Sequence, residues 1–147
     1  MIKKKVLVCG ASGFIGRNVF ETLSRRDDLE VVGTYYTLQP MKKITALIRE
    51  KKLLWCDLTT REDVKRVVQG VDIVIQCAAV TSGAKDIVNA PYFHVTDTVN
   101  MNTLLLEAAF KAHVKHFIFL SCSVMYPMNL DHPVKESDYD PDRKSVV

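Results

Sequence analysis

A turn built on three glycines is the stretch of this sequence with the clearest chemical potential. The apolar run Val6–Cys9 leads into Gly10, and further glycines follow at positions 13 and 16, where a helical pattern begins. Gly10 permits a tight exit from a strand, Gly13 lets backbone N–H groups approach a pyrophosphate, and Gly16 lets the helix pack against the strand. The helix N-terminus adds unpaired donors for an anion. We therefore predict a phosphate-binding turn, with a glycine-rich turn that holds no ligand as the alternative.

Length and composition indicate one globular domain. Of the 147 residues, 48% are hydrophobic, which is enough to bury a core. The 20 basic and 17 acidic residues are scattered and give a net charge of +3, so no basic block indicates nucleic-acid binding. No apolar run approaches the roughly 20 residues that span a bilayer, and the N-terminus lacks the layout of a signal peptide. We expect a cytoplasmic protein that binds neither nucleic acid nor a membrane.

The cysteines indicate neither a disulfide framework nor a metal site. Their spacing is unpaired, and each stands at or near the end of an apolar run. We expect buried, reduced thiols and no bound metal. The four residues are Cys9, Cys56, Cys77 and Cys122.

Strand and helix patterns alternate along the chain. After the first strand, the sequence predicts strands at residues 29–35, 53–56, 71–77 and 115–121. Helices are predicted after Gly16, at 41–52, from Thr59, and beyond a long loop over 81–96. Such alternation indicates right-handed crossovers and helices on both faces of a parallel sheet. The predicted fold is α/β, a Rossmann-type doubly wound parallel sheet with strand order 3-2-1-4-5.

Two local predictions concern the helices. Thr59 and Glu62 have the spacing of a capping box, so Thr59 is expected to cap the helix that follows. The helix beyond the long loop is expected to carry an apolar stripe formed by Val99, Leu104, Leu105, Ala108 and Ala109.

The predicted strand order brings two stretches to one crevice. Ligands of such sheets bind outside the carboxyl ends of strands one and four, where Gly10–Gly16 and Cys77–Val80 emerge. Strand two ends in residues 35–37, Tyr-Tyr-Thr, without the acidic side chain that holds a ribose 2′-OH. Lys42 and Lys43 follow and suit a 2′-phosphate, although an ordinary helix surface accounts for them equally well. NADP is therefore slightly favoured over NAD.

Short motifs follow three of the predicted strands. Asp57-Leu58 follows strand three, Ala78–Gly83 follows strand four, and Leu120–Pro127 follows strand five. Together with the glycine turn, these motifs resemble the extended short-chain dehydrogenases/reductases, the NAD-dependent epimerase/dehydratase family, and within it the GDP-fucose synthase-like members. The resemblance implies an NAD(P)-dependent epimerase, dehydratase or reductase of a nucleotide sugar.

The resemblance also implies roles for single residues. In such proteins the aspartate matching Asp57 contacts the adenine ring, and the backbone matching Ala78–Val80 lines the cofactor near the nicotinamide. For Asp57 alone, a helix-capping carboxylate is the alternative. The expected cofactor-binding residues are Gly10, Ser12, Gly13, Phe14, Ile15, Gly16, Tyr35, Asp57, Leu58, Ala78, Ala79 and Val80.

The catalytic residues of the resembled family are matched only in part. That family uses a Ser or Thr hydroxyl together with Tyr-x-x-x-Lys, in which the lysine and the cofactor lower the pKa of the tyrosine. At the hydroxyl position this chain has Cys122, and a thiol is a weak hydrogen-bond donor. Ser121 and Ser123 flank it as candidate substitutes, with Ser123 slightly preferred.

No Tyr-x-x-x-Lys occurs in the sequence. In the resembled family it lies at about the position where this chain stops, Val147, so we expect a truncated chain that is inactive alone. Residues 1–147 would form the NAD(P)-binding domain, with 121–147 an irregular tail leading toward a missing catalytic helix and substrate domain. The alternative is a non-catalytic NAD(P)-binding sensor or scaffold protein of the same fold.

Truncation would leave the apolar run Phe117–Leu120 of strand five as an exposed sheet edge. Such an edge seeks a pairing partner. We therefore expect a homo-oligomer, and a nucleotide-sugar substrate as the partner of the full-length protein.

Overall fold

A computed structural model describes residues 3–37, 50, 52–80, 89–121, 126 and 132–139. The strands are β1 (Lys4–Cys9), β2 (Leu29–Tyr35), β3 (Leu53–Trp55), β4 (Ile73–Gln76) and β5 (His116–Phe119). The helices are α1 (Phe14–Leu23), α2 (Arg61–Val67) and α3 (Pro91–Lys111), and a short 3-10 helix follows at Glu136–Asp138. None of these helices is long and apolar enough to cross a membrane.

The strands form one parallel sheet in the order β3-β2-β1-β4-β5, which confirms the predicted fold. In β1, Val6 lies opposite Val31 of β2 on one side and opposite Ile73 of β4 on the other. The order of strands reverses beside β1, so the connections leaving β1 and β4 run to opposite sides. A crevice for a ligand opens at such a point, outside the carboxyl ends of the strands.

Both faces of β1 are buried, as its uninterrupted apolar sequence predicts. Leu7 and Cys9 point into one core, which α2 and α3 cover, whereas Val6 and Val8 point into the other, which α1 covers. Because successive side chains on a strand alternate between faces, one short run supplies both cores. Burial of each such Leu or Val side chain contributes about 1.5–3 kcal/mol.

The predicted capping box at Thr59 is wrong. Helix α2 begins at Arg61, with Thr60 in the N-cap position and no side-chain cap bond. The Thr59 hydroxyl instead donates to Oδ1 of Asp57 at 2.6 Å. The carboxylate of Asp57 is a charged acceptor and binds the Thr59 hydroxyl more strongly than a cap interaction would. The hydroxyl therefore points away from the amides of the helix.

Helix α3 begins at Pro91, inside the segment predicted as a loop over 81–96. Proline suits a first helical turn because its missing N–H needs no partner there. Val99 is 56% exposed, so its assignment to the apolar stripe is wrong. It lies two residues before buried Met101, about 200° around the helix, on the opposite face. Residues 41–49 and 81–88 lie outside the described residues. The buried face of α3 carries Met101, Leu105, Ala108 and Ala109.

Strand β5 ends the described sheet with apolar side chains in contact with solvent. The exposed fractions are 40% for Ile118, 53% for Phe119 and 41% for Leu120. The expected apolar edge is therefore present in the described part of the fold.

Candidate functional site

Gly10 turns the chain sharply at the end of β1. Its φ is +72°, in the left-handed region that costs a residue with a side chain about 1–2 kcal/mol. A Cβ built on Gly10 would lie 2.8 Å from the Cα of Ala78, in the chain leaving β4. Backbone conformation and close contact therefore both require glycine here.

The other two glycines of the turn have different surroundings. A Cβ on Gly16 would lie 2.2 Å from the carbonyl oxygen of Gly10, so α1 can approach β1 this closely only with glycine at position 16. A Cβ on Gly13 would lie 3.4 Å from the same oxygen, which is ordinary van der Waals contact. The packing of the fold therefore does not require glycine at position 13.

The first turn of α1 offers backbone donors to an anion. The Arg17 N–H donates to the Gly13 carbonyl at 2.9 Å, so the amides of Phe14, Ile15 and Gly16 precede the first helical bond. Gly13 is the N-cap residue, so no side chain caps the helix, and the first turn contains no acidic residue. Phe14 is 87% exposed and does not cover the corner. The N-terminus of α1 is thus open to an anionic group.

Strand β2 holds the glycine turn through Thr34. The Gly10 N–H donates to Thr34 Oγ1 at 3.2 Å, and the Ala11 N–H donates to the Thr34 carbonyl at 2.8 Å. Thr34 is buried, and a buried amide left without a partner costs about 1–3 kcal/mol. The Ser12 hydroxyl adds a bond to the Thr37 carbonyl at 3.3 Å. These contacts fix the turn in advance of ligand binding.

A cavity of about 200 Å³ lies at the carboxyl ends of the strands. Its position beside β1 and β4 is the point where the strand order reverses. Seven of the predicted binding residues line it: Gly10, Tyr35, Asp57, Leu58, Ala78, Ala79 and Val80. The other five, Ser12, Gly13, Phe14, Ile15 and Gly16, do not line it. Among the described residues, its lining is formed by Gly10, Thr34, Tyr35, Tyr36, Cys56, Asp57, Leu58, Thr59, Ala78, Ala79, Val80, Asp97 and Met101.

Asp57 is oriented by its own turn in the cavity wall. Its Oδ1 accepts from the N–H of Thr59 at 2.9 Å and from the Thr59 hydroxyl at 2.6 Å. Its N–H donates to Oδ2 of Asp63 at 2.9 Å, and Arg66 together with this bond holds the pKa of the Asp63 carboxyl below its usual range. The carboxylate of Asp57 therefore does not cap α2. Its Oδ2 has no donor among the described residues and is available to a ligand.

Two aromatic rings stand beside the cavity where β2 and β3 end. The ring centroids of Tyr36 and Trp55 are 6.2 Å apart, and the ring planes are tilted by 32°. Trp55 is the single tryptophan of the chain and is 49% exposed. Tyr36 lines the cavity, so Trp55 is an intrinsic fluorescent probe of this end. Lys42 and Lys43, predicted to suit a 2′-phosphate, lie outside the described residues.

The cysteines near the cavity are neutral thiols. Cys9, Cys56 and Cys77 are free. Burial, with a smaller contribution from Asp63, raises the pKa of Cys56 to about 12. Burial also raises the pKa of Cys9 and of Cys77. None is therefore an activated nucleophile at neutral pH. No group of His, Cys, Asp and Glu side chains in the described ranges could hold a metal ion.

The candidate catalytic residues come just after β5. Ser121 is exposed, and it is absent from the described residues that line the cavity. Cys122 and Ser123 lie outside the described residues. Farther along, the ring of Tyr126 contacts that of Tyr139 edge-on, with centroids 6.5 Å apart. The described geometry thus supports a binding site more fully than a catalytic one.

Several residues of the cavity wall were not predicted as site residues. Thr34 could have been found, because a threonine inside an apolar strand next to a glycine turn indicates a hydrogen-bonding role. Asp97 and Met101 could not be assigned to the site, because the pattern did not reveal that α3 starts at Pro91 and runs past the cavity. Thr59 also lines the cavity, but the sequence pattern predicted it as a helix cap and not as part of the site.

Comparison with known proteins identifies a family. A family model described as the NAD dependent epimerase/dehydratase family matches residues 6–145. A UDP-glucose epimerase of Bacillus subtilis, described as uncharacterized, is 31% identical over 133 residues, which cover 83% of this chain and 41% of that protein. GDP-L-fucose synthase of Azorhizobium caulinodans is 27% identical over 137 residues, covering 92% of this chain and 38% of that protein.

A solved structure shows the same fold. UDP-glucose-4-epimerase from Stenotrophomonas maltophila, solved with bound NAD and formylated UDP-arabinopyranose, superposes with a TM-score of 0.76 at 24% identity. The match covers 92% of this chain and 42% of that one. The present chain thus spans about two fifths of the length of the proteins to which it is similar.

Proposed function

The chain belongs to the NAD dependent epimerase/dehydratase family, and from this premise we propose that it is the dinucleotide-binding part of an enzyme that acts on a nucleotide sugar. The reaction is epimerisation, dehydration or reduction with NAD or NADP as cofactor. One observation carries the proposal: Gly10 lines a cavity built by the carboxyl ends of four strands, and the amides of residues 14–16 that follow it are open at the N-terminus of α1. Such a turn suits two linked phosphates.

Each wall of the cavity supports one proposed contact. Ser12 and the amides of residues 14–16 would hold the pyrophosphate, where a side chain at Gly13 would fit the protein but obstruct the phosphate. Oδ2 of Asp57, with Leu58 beside it, would hold the adenine end. Ala78–Val80 would line the nicotinamide end, since small residues let a ligand approach the backbone closely.

The choice between NAD and NADP depends on the end of β2. Tyr35 and Tyr36 line the cavity where an acidic residue would hold an unmodified ribose, and no acidic side chain stands at residues 35–37. Lys42 and Lys43 follow in the sequence and would neutralise a 2′-phosphate. NADP is therefore the slightly favoured cofactor of this proposal.

The residues of this chain would bind and orient the cofactor, and a hydroxyl near β5 would contact the sugar. When bound, the nicotinamide supplies hydride transfer to or from a sugar carbon. Ser123, Ser121 or the weaker donor Cys122 would hydrogen-bond the reacting oxygen. Because the sequence contains no Tyr-x-x-x-Lys, we expect the 147-residue chain to bind the dinucleotide weakly and to catalyse no turnover by itself.

Titration with NADH and with NADPH tests the proposal directly. Binding is followed by quenching of Trp55 fluorescence and by calorimetry, which needs no optical change. We expect saturable binding of both dinucleotides, tighter for NADPH. Absence of heat and of quenching with both would refute the site, and tighter binding of NADH would refute the cofactor preference alone.

A non-catalytic sensor or scaffold of the same fold is the second candidate. Cys122 in place of the expected hydroxyl favours it. Reading the coding region past Val147 separates the two proposals. An in-frame Tyr-x-x-x-Lys supports the enzyme, whereas a stop codon supports the sensor.

A further inference from the structure

Gln76, the last residue of β4, is a buried polar side chain in an apolar environment. It is 1% exposed and lies on the same face of the strand as Val74, which packs in the core beneath α3. Burying an amide group without hydrogen bonds costs several kcal/mol. Its two ends must therefore be satisfied by specific neighbours.

The carboxamide of Gln76 bridges helix α3 and the chain that leaves β4. Its Nε2 donates to Oδ1 of Asn102 at 2.8 Å, and its Oε1 accepts from the N–H of Ala78 at 3.2 Å. A backbone N–H can only donate, so it fixes which end of the carboxamide faces Ala78. The other end must then donate, and Asn102 supplies the acceptor.

Ala78 is in turn the residue against which the glycine turn packs. A Cβ on Gly10 would lie 2.8 Å from its Cα, and both residues line the cavity. A displacement of one segment is passed to a segment packed this closely against it, because a close-packed interior has no empty space into which the backbone can move. A shift of Ala78 would therefore displace the chain after β4 and also disturb the glycine turn that packs against it.

We propose that Gln76, anchored by Asn102, is a positioning residue that holds the Ala78 backbone at the nicotinamide end of the cofactor crevice. The proposal rests on the function proposed above and adds residues that do not line the cavity in the described structure. Removing the carboxamide frees the Ala78 N–H and lets the segment after β4 move relative to the glycine turn. The adenine end, formed around Asp57, does not depend on this bond.

Four single variants of the 147-residue chain test the proposal. Gln76→Met keeps the side-chain length and removes both hydrogen bonds. Asn102→Leu removes only the acceptor, whereas Asn102→Asp keeps an acceptor oxygen at the same place. Val74→Ala is the matched control, because it weakens the same core face without touching the bridge.

Two measurements are made on each variant: hydrogen exchange of the Ala78 amide, and affinity for NADPH compared with AMP. We expect Gln76→Met to speed Ala78 exchange and to weaken NADPH binding, each by about tenfold, while AMP affinity stays within about twofold. Asn102→Leu should act in the same direction and Asn102→Asp should resemble the parent chain. Val74→Ala should lower stability and leave the ratio of the two affinities unchanged.

Two outcomes would overturn the positioning role. One is unchanged Ala78 exchange in Gln76→Met, and the other is an equal loss of NADPH and AMP affinity that matches Val74→Ala. If Gln76→Met does not fold, Asn102→Leu decides in its place. If the parent chain binds neither ligand, the proposed function fails, and the claim about the cofactor crevice fails with it; Ala78 exchange then still reports whether the bridge holds the backbone.

Discussion

Alanine substitutions at Gly13 and Gly16 separate ligand binding from folding within one turn. At Gly16 the new methyl would lie 2.2 Å from the Gly10 carbonyl oxygen, so α1 must move away from β1. At Gly13 it would lie 3.4 Å from that oxygen, and the backbone, with φ −76° and ψ 170°, suits alanine. One variant therefore strains the fold, and the other only fills the space beside the open amides.

The expected magnitudes differ accordingly. Overpacking at Gly16 costs about 1–3 kcal/mol of unfolding free energy. At Gly13, alanine restricts the unfolded chain, which stabilises by about 0.4–1 kcal/mol, and it is a poorer N-cap than glycine by a similar amount. The net change in stability is therefore close to zero. A methyl group at position 13 is expected to displace the pyrophosphate from one charge-assisted hydrogen bond, which contributes about 1.5–3 kcal/mol. Its loss lowers dinucleotide affinity by about tenfold to a hundredfold.

Urea unfolding, monitored by Trp55 fluorescence, measures stability, and calorimetric titration with NADPH measures affinity. Gly70→Ala is the control. Gly70 has a φ of +66° and open space around its Cβ position, and it is absent from the described residues that line the cavity. Alanine there should cost about 1–2 kcal/mol from backbone strain alone and leave affinity unchanged.

If Gly13→Ala binds NADPH as tightly as the parent chain, the amides of the turn do not contact the phosphates. A loss of binding by Gly13→Ala that merely follows a loss of stability, as in Gly70→Ala, would also contradict that contact. Unchanged stability of Gly16→Ala would refute the argument for close contact between α1 and β1.

Two further predictions concern the surface. Hydrogen bonds from Lys111 and, to a smaller extent, Arg61 lower the pKa of Glu107 from its ordinary 4.5 to about 2. The stabilisation that the ionised Glu107 gives is therefore present above pH 4.5 and is lost as the pH falls toward 2. Between pH 4.5 and pH 2, the urea concentration at the midpoint of unfolding should therefore fall less steeply with decreasing pH in Glu107→Gln than in the parent chain. Equal slopes would contradict a stabilising role for the Glu107 ion pairs. At the β5 edge, Phe119→Lys should reduce self-association measured by light scattering, whereas a strictly monomeric parent chain would contradict the expected homo-oligomer.

Much of the fold could be predicted because its signals are local. Strand β2 runs over Leu29–Tyr35, the predicted bounds, since a run rich in β-branched residues between polar turns has few alternative conformations. The parallel sheet followed from regular alternation of strands and helices, and the glycine turn indicated the strand order 3-2-1-4-5. This order predicts that the ends of β1 and β4 meet at one crevice, and Gly10 does lie against Ala78 there.

Predictions that depended on competing partners were less successful. Thr59 has the spacing of a cap, yet the carboxylate of Asp57 takes its hydroxyl. Helix α3 extends back to Pro91, where the sequence had indicated a loop. Gln76 at the end of an apolar strand reveals nothing by pattern alone, because its partner Asn102 stands 26 residues away on another element.

The sequence by itself determined the elements, their order and the glycine turn, because backbone conformation and hydrophobic periodicity are properties of neighbouring residues. The tertiary structure supplied the distance behind the predicted packing role of Gly16, whose Cβ would lie 2.2 Å from the Gly10 carbonyl oxygen. It alone identified Gln76 as the side chain that holds the chain after β4. Hydrogen bonds between distant segments and distances between packed elements arise from folding, and no local pattern encodes them.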